Sequence, residues 1–392
     1  MTDRTAYRAV LATIALERFA WYLMLGCLVL WRNPQAVGNL LFAGYLLPLL
    51  GGVVGRYSLR ASVLTGCLIS LAGYIAASAN LSALALPLLA LGCGLFKPCL
   101  SALLGGMFSQ GPERSRAFGR YYAAIQVGSM PSTLVGGYLH YRYGWGAAFG
   151  AAALALALAS VVVLANWRRL QPARESLAEA VIDGAIVRPQ WGRLVVLMVG
   201  AVLFFAGFQQ QSTTLVLWAR DVCRVDLPET VSTLNPVFAL ALLASPVAAW
   251  SSMRGRLVAG MLCLASGFAA LLAGSGLWLL IGWYALATIG EVLVSPLGLE
   301  LACSLVPRRL AATATALWLL SMAGGGKLAG VLGTLDGQTA VRVSVGMSLA
   351  GALWFALALT SRAEWYALWT WIRGPEENES MRRARNHRGL GG

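Results

Sequence analysis

The stretch GWGAAFGAAALALALASVVVLAN (144–166) decides the fold. It runs for 23 residues without one charged side chain. A helix of about 20 apolar residues crosses a hydrocarbon core about 30 Å thick. In lipid, the backbone groups must be satisfied inside a helix or a closed barrel. Barrel strands alternate in polarity, whereas this run is continuous, so the stretch predicts a membrane-spanning helix.

Comparable apolar runs recur along the whole chain. Of its 392 residues, 58% are hydrophobic and 12% are charged, against roughly 25% charged in soluble domains. The predicted spans cover residues 9–31, 36–54, 61–79, 82–108, 118–140, 144–166, 193–219, 229–251, 256–273, 277–305, 309–334 and 340–362. We therefore expect an all-α membrane protein with twelve transmembrane helices.

The basic residues predict the orientation of these spans. With a cytoplasmic N-terminus, the cytoplasmic segments hold 22 of the 30 basic residues and the opposite loops hold five. Cytoplasmic loops are enriched in Lys and Arg. We expect a multi-pass protein of the inner membrane with both termini in the cytoplasm.

An internal repeat predicts two halves. A shift of 198 residues superposes Pro48 on Pro246, Arg56 on Arg254, Gly92 on Gly290 and Pro98 on Pro296. Parallel six-helix halves are typical of the major facilitator fold. The expected organisation is an N-terminal bundle (1–166), a linker (167–192), a C-terminal bundle (193–362) and an Arg-rich tail (363–392). A short amphipathic helix is expected near 173–185 in the linker.

Several other functions lack the sequence features that they need. The net charge of +14 lies in short loops between spans, which argues against nucleic acid binding. The seven cysteines form no metal or disulfide pattern, and no phosphate-binding GxxxxGK[ST] loop occurs. No nucleophile and base have a usable spacing. We expect no enzyme activity and no cofactor, with protons as a candidate coupling ion.

Ionisable side chains inside the spans carry the candidate chemistry. The intramembrane ionisable residues are Glu17, Arg18, Lys97, Glu291, Glu300 and Lys327. Such groups are costly in lipid and need partners or a polar cavity. Two interpretations remain open: structural pairing between helices, and a polar cavity between the halves. The uncharged polar candidates are Gln126, Gln209 in the run 209–214, and Asn235.

Ordered motifs then resemble the proton-coupled oligopeptide transporters. Their span-1 ExxERFxYY motif is similar to ERFAWY (17–22), and their GxGxxKPxxSxxGGDQF to GCGLFKPCLSALLGGMF (92–108). YYAAIQVGS (121–129), FQQQST (208–213) and LNPVFALALLASPVAAW (234–250) resemble the motifs of spans 5, 7 and 8. GEVLVSPLGLELACSLVPRRL (290–310) resembles the span-10 motif.

The resemblance implies roles for individual residues. Glu291 would receive the amino terminus of a peptide, assisted by Asn235. Lys97 would pair with the acidic motif of span 1 and lie near the peptide carboxylate. Tyr22 would line the pocket. An anion at one end and a cation at the other suit a zwitterion.

Departures from the family pattern leave several functions open. Ile14 and Gln209 stand where the family has acids, Leu25 where it has a cation, and Gln126 where it has asparagine. These changes remove proton carriers, and Lys97 or Lys327 would have to supply the lost cation. The expected function is transport of a peptide or peptide-like amine by a single chain. An exporter of such compounds and a membrane sensor without transport are the alternatives.

Overall fold

The computed structural model describes residues 3–55, 57–108, 112–170, 190–242, 253–306 and 311–358. The helices are α1 (Arg4–Trp31), α2 (Pro34–Leu46), α3 (Pro48–Val54), α4 (Leu59–Ser78), α5 (Ser82–Gly106), α6 (Pro112–Ser129), α7 (Ser132–Tyr143), α8 (Trp145–Ala165), α9 (Trp191–Phe208), α10 (Thr214–Asp221), α11 (Leu234–Leu242), α12 (Met253–Leu272), α13 (Leu277–Ser304), α14 (Ala311–Leu332) and α15 (Gly337–Ala358). Two 3-10 turns cover Gln209–Ser212 and Pro228–Thr233.

Twelve predicted spans account for these helices. Nine spans in the described ranges are long and apolar enough to cross a membrane. Spans 2, 5 and 8 are broken instead: α2 gives way to α3 at Pro48, α6 to α7 at Pro131, and span 8 opens with a 3-10 turn before α11. Proline lacks a backbone N–H and disfavours the helical conformation in the residue before it. The predicted all-helical fold is confirmed.

Each half has its own hydrophobic core. In the first half, Trp21, Phe96 and Phe149 are buried in a cluster drawn almost wholly from α1–α8. In the second, Phe204, Phe268 and Trp283 are buried in a cluster drawn from α9–α15. Helices therefore pack mainly within their own half, and the two halves meet along a seam.

The internal repeat is visible in the packing of two glycines. A Cβ on Gly92 of α5 would lie 2.7 Å from the carbonyl oxygen of Gly66 on α4. A Cβ on Gly290 of α13 would lie 2.8 Å from the carbonyl oxygen of Gly260 on α12. Both distances are too short for a side chain, so glycine permits the same close helix contact in both halves.

The halves touch at one end of the bundle, which we call the closed end: the end where α1 stops at Trp31 and α2 begins. Here Gly38 of α2 meets Gly330 of α14, whose Cα would lie 2.8 Å from a Cβ on Gly38. The hydroxyls of Thr133 and Thr233 lie 2.6 Å apart across the seam. The halves are therefore tightly packed at the closed end. The helices α5 and α13 make no extended contact with each other within the described ranges.

Some predictions fall outside the described ranges. The expected linker helix near 173–185, the Arg-rich tail and Pro246 all lie there. The division of the chain at residues 166, 192 and 362 stays a prediction.

Candidate functional site

A buried polar network fixes Glu291 in the second half. Asn235 Nδ2 on α11 donates to Glu291 Oε2 at 3.2 Å and to Thr288 Oγ1 at 3.1 Å. Thr288 donates to the Tyr284 carbonyl, and Tyr284 donates its hydroxyl proton to the carbonyl of Gln211 at 3.1 Å. Since Glu291 and Thr288 are one turn apart on α13, they share one face. The network holds the carboxylate in place and leaves acceptor capacity for a ligand.

Tyrosines from the first half act electrostatically with Glu291. They are Tyr22 on α1, Tyr45 on α2 and Tyr122 on α6. Tyr122 also interacts with the side chain of Gln126, which is 4% exposed. Aromatic rings beside a carboxylate provide a favourable environment for an ammonium group. The Glu291 carboxylate of one half therefore interacts electrostatically with tyrosine side chains of the other.

Lys97 on α5 supplies a cation from the first half. Its Nζ lies 4.3 Å from the ring centroids of both Trp21 and Tyr45. The nitrogen is buried and makes no hydrogen bond to the described residues, although it interacts electrostatically with Cys93 one turn earlier. Two cation–π contacts do not replace the three acceptors that an ammonium uses. Lys97 therefore retains donors for an anionic ligand group.

Glu17 and Arg18 pair with each other. Arg18 donates from Nε at 2.5 Å and from Nη2 at 2.6 Å to the two carboxylate oxygens of Glu17. The residues are 4% and 6% exposed. Lys97 makes no hydrogen bond to Glu17, although the two side chains interact electrostatically, so the expected pairing of the acidic motif with Lys97 stays a prediction. Ile14 lies one helical turn before Glu17 on α1 and is also buried. Because isoleucine has no carboxylate, this position cannot form an ion pair with Lys97.

The glutamine run in span 7 is buried and breaks the helix. Gln209, Gln210 and Gln211 form the 3-10 turn after α9. Gln210 Oε1 accepts from Thr213 at 3.3 Å and from Thr214. Gln209 is 5% exposed. The run therefore packs at the interior, as a polar stretch inside a membrane requires.

Lys327 lies apart from these contacts. Its side chain is exposed on α14 and donates to Asn39 Oδ1 of α2. The bond crosses the seam between the halves. In the structure Lys327 therefore links α2 to α14, and its expected role in ligand binding stays a prediction.

Sequence reasoning did not single out several residues of this region. Tyr45, Thr288 and Tyr284 are uncharged and lie inside apolar runs, where they resemble ordinary core residues. Tyr122 did appear within the span-5 motif, and its position next to Tyr121 was the available signal. Glu229 and His140 approach within 3.4 Å, although one begins span 8 and the other ends span 5.

The comparisons with known proteins agree with this geometry. The family model described as Major Facilitator Superfamily matches residues 35–334. Dipeptide and tripeptide permease A of Cronobacter turicensis is 27% identical, over 81% of this chain and 82% of that protein. The peptide transporter YePEPT of Yersinia enterocolitica is 25% identical, over 75% and 78%.

Solved structures share the fold. A peptide transporter POT in complex with sulfate has a TM-score of 0.77 and 21% identity, over 90% of this chain and 93% of that one. A POT family transporter in complex with 5-aminolevulinic acid has a TM-score of 0.78 and 16% identity, over 90% and 95%. This chain belongs to the major facilitator superfamily, and within it the chain is similar to proteins named as peptide permeases and peptide transporters.

Proposed function

We propose that the protein carries small peptides or peptide-like amines across the inner membrane by alternating access. One observation supports this most: the anchored carboxylate of Glu291 and the unpaired ammonium of Lys97 come from opposite halves. Lys97 Nζ lies over the ring of Tyr45, and Glu291 interacts electrostatically with the same tyrosine. A ligand that bridges them would link the two halves, as alternating access requires.

Each end of a zwitterionic ligand has a partner. The ligand ammonium binds the Glu291 carboxylate, which Asn235 orients, and packs on the tyrosine rings. The ligand carboxylate, or an equivalent acidic group, binds Lys97. Charge-assisted hydrogen bonds contribute about 1.5–3 kcal/mol each in such sites. The relatives are named as peptide permeases and transporters, and one neighbour binds 5-aminolevulinic acid, which agrees with a short amine-bearing ligand.

The charge distribution supports the orientation. With both termini in the cytoplasm, most basic loops lie on the cytoplasmic side and the closed end faces outward. In this orientation, the tight contacts of the closed end would seal the cleft from the outside. We expect it to act as a single chain with no nucleic acid partner.

Proton coupling is part of the proposal and rests on fewer carboxylates than in the resembled family. Ile14 and Gln209 cannot hold a proton, so Glu17, Glu291 and Glu300 remain, with Glu17 and Glu291 as the main candidates. Coupling is tested by comparing uptake driven by a pH gradient with ligand exchange at equal pH on both sides. A variant that has lost a proton carrier should still exchange ligand but should no longer accumulate it. Unchanged accumulation in both Glu17→Gln and Glu291→Gln would exclude these carriers.

Counterflow of labelled dialanine in proteoliposomes tests the transport function. It requires binding and alternating access but no proton gradient. Uptake that depends on unlabelled dialanine inside the vesicles is the expected result. No counterflow of dialanine or of any larger amine-bearing compound by folded protein would contradict transport and favour a membrane sensor.

Export of a peptide-like compound is the second candidate. The unpaired Lys97, with Leu25 in place of a cation, favours a ligand whose acidic end differs from that of an ordinary peptide. The direction of accumulation in intact cells separates export from import.

A further inference from the structure

A buried indole supports the ammonium group of Lys97 from the protein interior. The Lys97 Nζ lies 4.3 Å from the ring centroid of Trp21 on α1 and 4.3 Å from that of Tyr45 on α2. Trp21 is 2% exposed, whereas Tyr45 is half-buried. Of the two rings at the ammonium group, that of Trp21 therefore has almost no surface left for a ligand.

The backbone of α2 makes room for this indole. A Cβ on Gly44 would lie 2.7 Å from Cη2 and 3.3 Å from Cζ2 of Trp21, so a larger residue at position 44 would displace the ring. The thiol of Cys93, one turn before Lys97 on α5, donates to the Gly44 carbonyl oxygen at 3.8 Å. Three helices thus meet at Gly44 and set the position of the Trp21 ring relative to Lys97.

Arg18 also lies near the Trp21 ring, but its charge is already balanced. The Arg18 Cζ lies 5.8 Å from the ring centroid, and the guanidinium group donates to both carboxylate oxygens of Glu17. Lys97 has no hydrogen-bond partner among the described residues and interacts with Glu17 electrostatically. Indole binds a cation better than the other aromatic side chains do, and the contact is stronger where water is excluded. Trp21 therefore stabilises the ammonium group in this position before a ligand binds.

We propose that Trp21 is a positioning residue that holds the Lys97 ammonium group at the site and thereby sets the preference for ligands with an acidic end. The inference rests on the proposed transport function and deepens it, because it assigns selectivity to a residue that does not touch the ligand. A cation–π contact engages the charge through the ring face and leaves N–H donors for the oxygens of a ligand carboxylate. Without the indole, the ammonium group loses this support and binds the acidic end of the ligand less well.

Competition against the counterflow of labelled dialanine measures this preference in the full-length protein. The competitors are unlabelled dialanine and its C-terminal amide, which differ only at the acidic end. Trp21→Leu removes the ring, whereas Trp21→Phe, with a side chain of nearly the same size as leucine, keeps a ring face. We expect the preference for dialanine to fall about tenfold in Trp21→Leu and about threefold in Trp21→Phe, while the affinity for the amide changes less than about twofold in both.

Two controls make the test specific. Trp31→Leu removes another buried tryptophan of α1, whose ring centroid lies 4.4 Å from the Arg32 Cζ, and should keep the full preference. In a Lys97→Met background, Trp21→Leu should not change the preference further, because the ammonium group that Trp21 positions is gone.

Thermal unfolding in detergent measures the same contact without a ligand. The fall in the unfolding midpoint caused by Trp21→Leu should be about 1–3 °C smaller in the Lys97→Met background than in the parent protein, because only the parent loses a cation–π contact. Substitutions at independent sites add, whereas those at residues in contact do not. Additive shifts of the midpoint would contradict the contact.

Three results of the competition experiment would overturn the proposal. They are an unchanged preference in Trp21→Leu, the same preference in Trp21→Leu and Trp21→Phe, and an equal loss of affinity for both competitors. If the parent protein shows no dialanine counterflow, the proposed transport function fails, and the unfolding cycle still decides whether Trp21 supports Lys97.

A variant of unchanged shape decides if Trp21→Leu does not fold. Tryptophan fluorinated on its six-membered ring, incorporated at position 21, keeps the size of the indole and weakens the attraction of the ring face for a cation. This variant should lower the preference for dialanine by several-fold. The parent's preference in the fluorinated protein would exclude Trp21 as the positioning residue.

Discussion

Asn235 donates one hydrogen bond to Glu291 and another to Thr288, at 3.2 Å and 3.1 Å. One amide group thus connects α11, in a broken span, to the middle of α13. Because Asn235 sets the position of the carboxylate, movement of α11 changes the site that the ligand contacts. This contact couples ligand binding to the movement of helices.

Replacing Asn235 should weaken ligand binding without removing it. Asn235→Leu leaves the Glu291 charge but removes its orienting donor, worth about 1.5–3 kcal/mol for a hydrogen bond to a charged group. We expect dialanine to bind roughly 10- to 100-fold more weakly in isothermal titration. Asn39→Leu, at the exposed α2–α14 contact, is the matched control. Equal affinity in Asn235→Leu and the parent would contradict this role.

Lys97 should contribute to binding and reduce stability. Its buried Nζ has no hydrogen-bond partner among the described residues, and an uncompensated buried charge is costly. Lys97→Met should therefore raise the midpoint of thermal unfolding in detergent by several degrees, while the preference for dialanine over its C-terminal amide disappears. Lys327→Met, which removes an exposed lysine, serves as the control. A lower unfolding midpoint in Lys97→Met would show that the lysine stabilises the fold.

The Glu17–Arg18 pair should behave as a unit. Arg18→Met leaves a buried carboxylate and should cost about 3–5 kcal/mol of unfolding free energy. The double variant Glu17→Leu, Arg18→Met should recover most of that loss. By comparison, Asp221→Asn at the exposed Arg220 pair should cost less than about 1 kcal/mol. Additive losses in the double variant, measured by thermal unfolding, would contradict direct pairing.

The glycine contact at the closed end should be essential for closure. Gly330→Leu places a side chain where a Cβ would already lie 2.6 Å from Gly38 Cα. We expect the halves to separate there and dialanine counterflow to fall more than about tenfold, because overpacking forces the backbones apart. Gly346→Leu on α15 is the control, since nothing lies within 4 Å of a Cβ there. Normal counterflow in Gly330→Leu would show that close packing at Gly38 is dispensable.

Helix number and the main charged groups were predictable from the sequence because both depend on local signals. Apolar runs mark the spans, and Glu291 and Lys97 stand out as costly charges in lipid. Pairing was harder to predict. Glu17 bonds its neighbour Arg18 through both carboxylate oxygens, which depends on side-chain geometry. The bond from Lys327 to Asn39 joins residues 288 positions apart, which no local signal relates.

The contact between His140 and Glu229 shows the limit of sequence reasoning most clearly. His140 and Glu229 are 89 positions apart, and neither periodicity nor the internal repeat relates them. Their meeting depends on how the two halves pack. The neutral members of the Glu291 network, Thr288 and Tyr284, were hidden because a hydroxyl in an apolar helix carries no pattern of its own.

The most direct test of the central claim compares two ligands in two proteins. Counterflow is measured for dialanine and for N-acetyl-dialanine, which lacks the free amine, with the parent protein and with Glu291→Gln. If Glu291 receives the ligand amine, the parent should prefer dialanine by about tenfold or more, and Glu291→Gln should lose that preference while remaining folded. A preference of the same size in both proteins would contradict Glu291 as the amine site.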